Sequence, residues 1–225
     1  DVDRYNLIKL QSLPGKMFGL VSNRWGTPEV INPKTGKGPS EWDRIPDRVA
    51  LKIGARVMIL ANDTEGWTYV NGSSGVVTGL AKGVDNSDRV RIVLDDGLEV
   101  EIGRITRRVE RKKLPDGYDR KEIATNSIMA AEQKKPYYRD SSKKYVLGEV
   151  TYYPLRLAWS STIHRSQGLS LDRVQIDMAR HFFGAPAMSY TSFSRCRTPE
   201  GLRIVGTPDL LIKRCNIDKK VLPWL

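Results

Sequence analysis

Residues 161–172 read STIHRSQGLSLD, a polar run that follows the apolar PLRLAW. Thr162, His164, Arg165, Ser166 and Gln167 bring hydroxyls, an imidazole, a guanidinium and an amide together just ahead of Gly168. That inventory suits the oxygens of a phosphate backbone. His164 has a rival assignment as a catalytic base or a metal ligand. His181 is the only other histidine, however, and no Cys or carboxylate stands at ligand spacing, which argues against a metal. No G-x-S-x-G elbow supports a serine nucleophile. The plainer alternative, that these are ordinary cap and turn residues, stays open on the residues alone.

A second stretch, YTSFSRCRTPEGLRIVG, places Arg195 and Arg197 at a predicted helix end, before a Pro and an apolar strand. A guanidinium is planar, permanently charged and rigid, so an Arg projected from one lobe is suited to meet a phosphate held by another. The plain alternative is a surface Arg paired with Glu200. A third stretch, TGKGPS at 35–40, imitates a phosphate-binding loop. The P-loop pattern requires a Gly where Ile31 stands and a Ser or Thr where Gly38 stands, so the match fails. No other stretch of the chain supplies that pattern.

These residues need elements to hold them. The opening DVDRYNLIKLQSLPG carries Val2, Tyr5, Leu7, Ile8 and Leu10 near helical spacing and stops at Pro14-Gly15, which predicts an amphipathic helix. Residues 17–48 read as an irregular connection with short strands. VALKIGARVMILAND begins a β-rich region, in which Val90, Ile92 and Leu94, then the turn Asp95-Asp96-Gly97, then Leu98, Val100 and Ile102 predict a hairpin with one buried face. Several short strands in so few residues favour a small SH3-like barrel. From Gly103 to Lys144 cations gather, among them Lys112, Lys113, Lys134 and Lys135, with Tyr118, Tyr137 and Tyr138 interleaved. Cations with aromatics suit a single strand whose bases can stack; a solvated barrel rim is the plain alternative. Beyond residue 148, PLRLAWSSTIHRSQ predicts one helix between Pro154 and Gly168. DRVQID predicts a strand, APAMSYTSFSRC a helix and LRIVG a strand, the rhythm of a parallel sheet.

Composition bounds the reading. The 225 residues are 40% apolar, enough for a real core. Lys and Arg number 37 against 26 Asp and Glu, a net charge of +11, and the pI is near 9.7. This points to a polyanionic partner such as nucleic acid. The two cysteines, Cys196 and Cys215, form neither a disulfide framework nor a zinc site and predict a reducing, intracellular compartment. No apolar run reaches a membrane span, so no membrane partner is expected. The chain opens at Asp1 without an initiator Met, which predicts a piece of something longer.

Taken together and in this order, DVDRYNLIKLQSLPG, LKIGARVMILAND with VNGSSGVV, PLRLAWSSTIHRSQGLSLDRV and YTSFSRCRTPEGL resemble the C-terminal part of a Pif-family DNA helicase, in the 5′-to-3′ branch of superfamily 1 with the RecD-like enzymes. The third and fourth patches look like helicase motifs V and VI. The resemblance implies an α/β fold: a partial RecA-like, P-loop NTPase-type parallel-sheet domain over 1–63 and 149–225, with a small SH3-like β-barrel (2B) inserted at 64–148. It implies that Thr162, His164, Arg165 and Ser166 contact single-stranded DNA, that Gln167 and Gly168 lie on the coupling path to the nucleotide, and that Arg195 is the arginine finger. Lys112, Lys113, Lys134, Lys135 and Tyr137 of the insert are further candidate DNA contacts. ATP and Mg²⁺ are implied as cofactors, bound mainly by an N-terminal RecA-like half of the same protein that this chain lacks. Thr191, Ser192 and Phe193 stand where the family tends to carry small apolar residues, and Met188 near a family Gln. The competing expectation is a nucleic-acid-binding module that keeps the fold without a motor.

Overall fold

The computed structural model describes residues 2–64, 66–83, 87–114, 116–117, 123–124, 137–178 and 188–215. Helix α1 spans Val2–Ser12, as the spacing predicts, but its buried face is not the predicted one. Asn6 and Leu10 are buried, whereas Tyr5, Leu7 and Ile8 are exposed. Leu10, one turn beyond Asn6, joins the main apolar core.

The chain then makes β1 (Phe18–Val21) and β2 (Asn23–Gly26), a 3-10 turn at Ser40–Arg44, and β3 (Arg48–Leu51), which pairs antiparallel with β1. Strands β4 (Arg56–Ile59), β5 (Ser74–Lys82), β6 (Asp88–Leu94) and β7 (Glu99–Ile102) follow as an antiparallel run. The predicted hairpin is β6 with β7: Val90 pairs with Ile102 and Ile92 with Val100, and all four are buried. Leu98, assigned to the same buried face, is instead exposed in the turn.

Strand β8 (Ile105–Arg111) runs antiparallel to the long β11 (Tyr145–Tyr152). The other edge of β11 takes β2 and β10 (Tyr137–Arg139), and β10 pairs in turn with β9 (Ile123–Ala124). The chain continues into β12 (Leu155–Leu157), which joins the first sheet beside β4, giving the order β12-β4-β5-β6-β7. Two differences from expectation follow. The ladders cross both predicted boundaries of the 64–148 insert, because β5 pairs with β4, and β11, which itself runs through residue 148, pairs with both β8 and β2. Among the described residues, the first sheet is an open path ending at β12 and β7 rather than a closed barrel. The predicted Pro154–Gln167 helix is absent too. Leu155 pairs with Ile59 and Leu157 with Val57, and burial of Leu155 against the sheet outweighs helix propensity over these few residues. Pro154 stands just before the strand, where a missing N–H costs no ladder bond, and its carbonyl accepts from Leu60.

The last part is the predicted α/β rhythm. Strand β13 (Val174–Asp177) and β14 (Leu202–Val205) pair in parallel, with helix α2 (Met188–Phe193) between them in sequence and α3 (Pro208–Arg214) after them. Ile176 and Met178 form its buried centre, packed by Ile163, Met188, Phe193 and Leu202. Ile163 therefore plants the 161–168 run on the parallel sheet. No helix among the described residues is long and apolar enough to cross a membrane.

Candidate functional site

The run at 161–168 is a tight turn with its polar groups sorted to two sides. Its centre is a single 3-10 turn, His164–Ser166. The Thr162 hydroxyl accepts from the Arg165 N–H at 3.2 Å, and the Ser166 N–H donates to the Thr162 and Ile163 carbonyls. Ser166 is buried and its hydroxyl donates to the Ile163 carbonyl at 2.8 Å. Its expected role as a DNA contact is corrected on that ground: the hydroxyl fastens the turn from inside. Thr162, His164, Arg165, Gln167 and Gly168 are exposed. Gly168 has φ +79°, a left-handed conformation that reverses the chain and that a side chain would strain.

Helix α1 holds this turn at two points that the sequence reading missed. The Asn6 side-chain amide donates to the Ser160 carbonyl at 2.9 Å, and its oxygen accepts the Ser160 N–H at 2.9 Å, so a buried side chain imitates one rung of a sheet. Asp3 takes Arg165 in a forked pair, at 2.7 and 3.4 Å. Half-buried Arg156 supports the turn from behind by donating to the Arg165 carbonyl at 3.1 Å and to the Ser161 hydroxyl at 3.4 Å. Burial, and next the neighbouring Arg165 charge, lower the pKa of Arg156, while Asp3 pulls the other way. The one available signal was Asn6 itself, a polar residue one helical turn before Leu10.

The second candidate, Arg195, follows α2 and is half-buried. Its Nε donates to the Thr191 carbonyl at 3.2 Å, folding the guanidinium stem back along the helix. Its backbone is bound to the first motif. Leu171 N–H donates to the Arg195 carbonyl at 2.8 Å and Arg197 N–H donates to the Leu171 carbonyl at 3.0 Å, an isolated parallel bridge centred on Cys196. Arg197 is exposed and pairs with Asp172 at 3.1 Å, not with Glu200. Gly201 closes the corner. A Cβ there would lie 2.0 Å from the Asp172 carbonyl oxygen, so only Gly lets the two motifs approach.

The candidate cations of residues 103–144 are in mixed states. Arg104 stands over the Tyr153 ring at 5.4 Å, Arg107 over Tyr152 at 5.8 Å and Arg139 over Tyr145 at 5.5 Å. Burial pushes the Tyr152 hydroxyl up in pKa while Arg107 pulls it down. Arg108 pairs with Glu149 and Lys144 with Glu110. Lys112 and Lys113, just past β8, are exposed. Tyr137 is fully buried, so its expected place as a base-stacking contact is corrected: its ring packs the interior and has no face outside. Burial, and next the Glu149 charge, push the Tyr138 hydroxyl well above its ordinary range. Tyr118, Lys134, Lys135 and His181 lie outside the described residues. Among the described residues no three His, Cys, Asp or Glu side chains gather as a metal site.

No family model matches the chain. The ATP-dependent DNA helicase PIF1 of Rattus norvegicus is 31% identical over 224 residues, which cover 100% of this chain and 28% of that protein. The ATP-dependent DNA helicase Pif1 of Psychrobacter sp. (strain PRwf-1) is 28% identical over 186 residues, covering 76% of this chain and again 28% of its own length. The chain thus spans less than a third of these relatives. Among solved structures, the Pif1 helicase from Bacteroides in complex with ADP-AlF3 and ssDNA matches at 26% identity and a TM-score of 0.60, over 98% of this chain and 41% of that one. Unliganded Pif1 from Bacteroides sp matches at 24% identity and a TM-score of 0.67, over 99% and 42%.

Proposed function

From the premise that this chain belongs to the Pif1 helicase family, we propose that it is the part of an ATP-dependent 5′-to-3′ DNA helicase that contacts single-stranded DNA and supplies an arginine finger. The observation that carries the proposal is the backbone bridge between Leu171 and residues 195–197. It fixes the exposed donors of the 162–168 turn and the Arg195 guanidinium to one frame. A shift felt by either is then transmitted to the other through backbone rather than through mobile side chains.

The division of labour follows from the residues. Thr162, His164 and Arg165 offer donors to strand phosphates, and Gln167 and Gly168 link that surface to the chain leading into Leu171. Arg195 presents a fixed positive charge to the transferred phosphoryl group of an ATP held by another domain. No G-x-x-x-x-G-K-[ST] loop exists anywhere in the 225 residues, and no group of three His, Cys, Asp or Glu side chains that could hold a metal is found among the described ones. In this reading ATP and its Mg²⁺ are held chiefly by an N-terminal RecA-like domain of the same protein, with this chain completing the site. The RecA-like part is likewise drawn from 1–63 and 149–225 and the 2B region from 64–148, with the β4–β5 and β2–β11 ladders joining the two across those boundaries.

The test compares the 225-residue chain with the full-length product of its gene. The chain alone hydrolyses no ATP, whereas the full-length protein shows ATP hydrolysis stimulated by single-stranded DNA and unwinds a duplex with a 5′ overhang. A full-length product that binds DNA but lacks DNA-stimulated hydrolysis replaces this reading with a non-catalytic binding module.

A further inference from the structure

Trp67 is the most exposed large apolar side chain among the described residues, at 80%. It also sits in a left-handed conformation, φ +54°, that bulky side chains rarely adopt and that Gly or Asn would take at lower cost. The loop around it enforces this posture. The Asp63 carboxylate accepts the N–H groups on both sides of Trp67, from Gly66 at 3.1 Å and Thr68 at 3.0 Å, and also the Thr68 hydroxyl at 2.7 Å. Below the tip, Asn71 N–H donates to the Asn62 side chain at 2.7 Å and Gly72 N–H to the Ile59 carbonyl at 2.9 Å. An indole is held out into solvent on a loop tied by these hydrogen bonds.

The base of this loop touches the strand-contacting turn. Buried Leu169, the residue after Gly168, packs so closely on Gly72 that a Cβ at position 72 would meet it at 2.7 Å. The base of the Trp67 loop and the chain just after the 162–168 turn are therefore in contact, in a chain with net charge +11.

We propose that Trp67 is a stacking platform for one base of the single strand whose phosphates the 162–168 turn contacts. This rests on the strand-binding reading above and adds to it a residue that meets bases rather than phosphates. Every base has a π-face, so such a contact is tolerant of sequence, and it releases no counterions. Stacking and phosphate contact are thereby separable by salt.

The experiment measures binding of a fluorescent oligo-dT to the full-length protein across a salt series, for wild type, Trp67→Ala, Trp67→Phe and Trp67→Gly. Loss of one stacked base weakens binding roughly five- to 150-fold. Trp67→Ala and Trp67→Gly are expected to show that loss with the log-log salt slope unchanged, and Trp67→Phe to retain most of the affinity. Trp67→Gly relieves the backbone, so its thermal midpoint is expected at or above wild type, which separates lost stacking from lost folding. Wild-type affinity in Trp67→Ala overturns the inference and leaves the strand-binding reading standing. A loss that arrives with a shallower salt slope overturns it as well. Failure of the wild-type protein to bind oligo-dT overturns the strand-binding reading and this inference together.

Discussion

Leu171 and Arg195 share a backbone hydrogen bond of 2.8 Å, and through it the segment proposed to meet a nucleic acid strand is fastened to the arginine proposed to meet a nucleotide. The return bond, Arg197 N–H to the Leu171 carbonyl at 3.0 Å, makes the link two-sided. Two hydrogen bonds in register resist both sliding and rotation, so the relative placement of the two motifs is fixed by main chain.

Gly201 is the point at which this junction is most easily broken. Gly201→Ala places a methyl group 2.0 Å from the Asp172 carbonyl oxygen, and a backbone atom cannot yield as a side-chain tip does. The substitution is expected to lower the thermal midpoint and, in the full-length protein, to depress DNA-stimulated ATP hydrolysis more than DNA binding. Gly103→Ala is the control, because its nearest neighbour atom would be 3.9 Å away and no strain is expected. Equal unfolding midpoints for the two variants would show that the Asp172 turn can move aside without cost.

Asn6→Ala tests the clamp on Ser160. The substitution strips the partner from both the N–H and the carbonyl of half-buried Ser160; with water reaching them in part, the two together should cost about 1–3 kcal/mol. Denaturant unfolding should show a loss in that range, and strand affinity should fall with it because the turn begins at the next residue. Asn6→Asp keeps an acceptor for the Ser160 N–H but offers no donor at neutral pH and buries a charge, so it should be no better than Ala.

The sequence disclosed the parallel β13 and β14 and the β6–β7 hairpin, because in each the apolar period or a short apolar run is decided by local packing; it disclosed helix α1 and its stop before Pro14-Gly15, but not the face that α1 buries. It misled over 154–167, where Leu155 and Leu157 carry a pattern compatible with helix until β4 is known to lie beside them. Pairing partners distant in the chain have no local signature, and the same is true of the ladders that cross residues 64 and 148. In the candidate site, the residue types of Thr162, His164 and Arg195 were legible; that the first two are exposed and Arg195 half-buried is seen only in the fold. The inward turn of Ser166 and the burial of Tyr137 were not legible, since both depend on which neighbours fill the space. The partners of Asn6 and Asp3 were invisible for the same reason: each lies more than 150 positions away.

Arg165 and the lysines after β8 make separate claims on the strand, and salt tells them apart. Arg165 is tied to Asp3 in an exposed pair worth about 0–1 kcal/mol, weak enough for a phosphate to displace. Asp3→Asn should therefore raise affinity for single-stranded DNA modestly while barely changing stability. Replacing Lys112 and Lys113 together should reduce the log-log salt slope by about 0.7 for each phosphate that is no longer neutralised. An unchanged slope would confine the binding surface to the 162–168 turn and its neighbours.

Arg195 carries the sharpest expectation, because charge developing on a transferred γ-phosphoryl group spreads over its oxygens and a guanidinium beside it stabilises the transition state more than the bound nucleotide. In the full-length protein, Arg195→Ala should leave ATP and DNA binding nearly intact while hydrolysis falls roughly a thousandfold or more. The fold should tolerate the change, since the side chain is half-buried and its hydrogen bond to Thr191 is local to α2 and its end. Arg195→Lys should recover little, because a point charge on a flexible stem does not reproduce the planar fork. Arg197 is the internal comparison. It lies two residues on, exposed, and is held to Asp172 at 3.1 Å, so Arg197→Ala should cost little in hydrolysis. If Arg197→Ala abolishes hydrolysis and Arg195→Ala does not, the assignment of the finger is off by two residues. The bridge to Leu171 would then position Arg197, through its N–H, rather than Arg195, through its carbonyl.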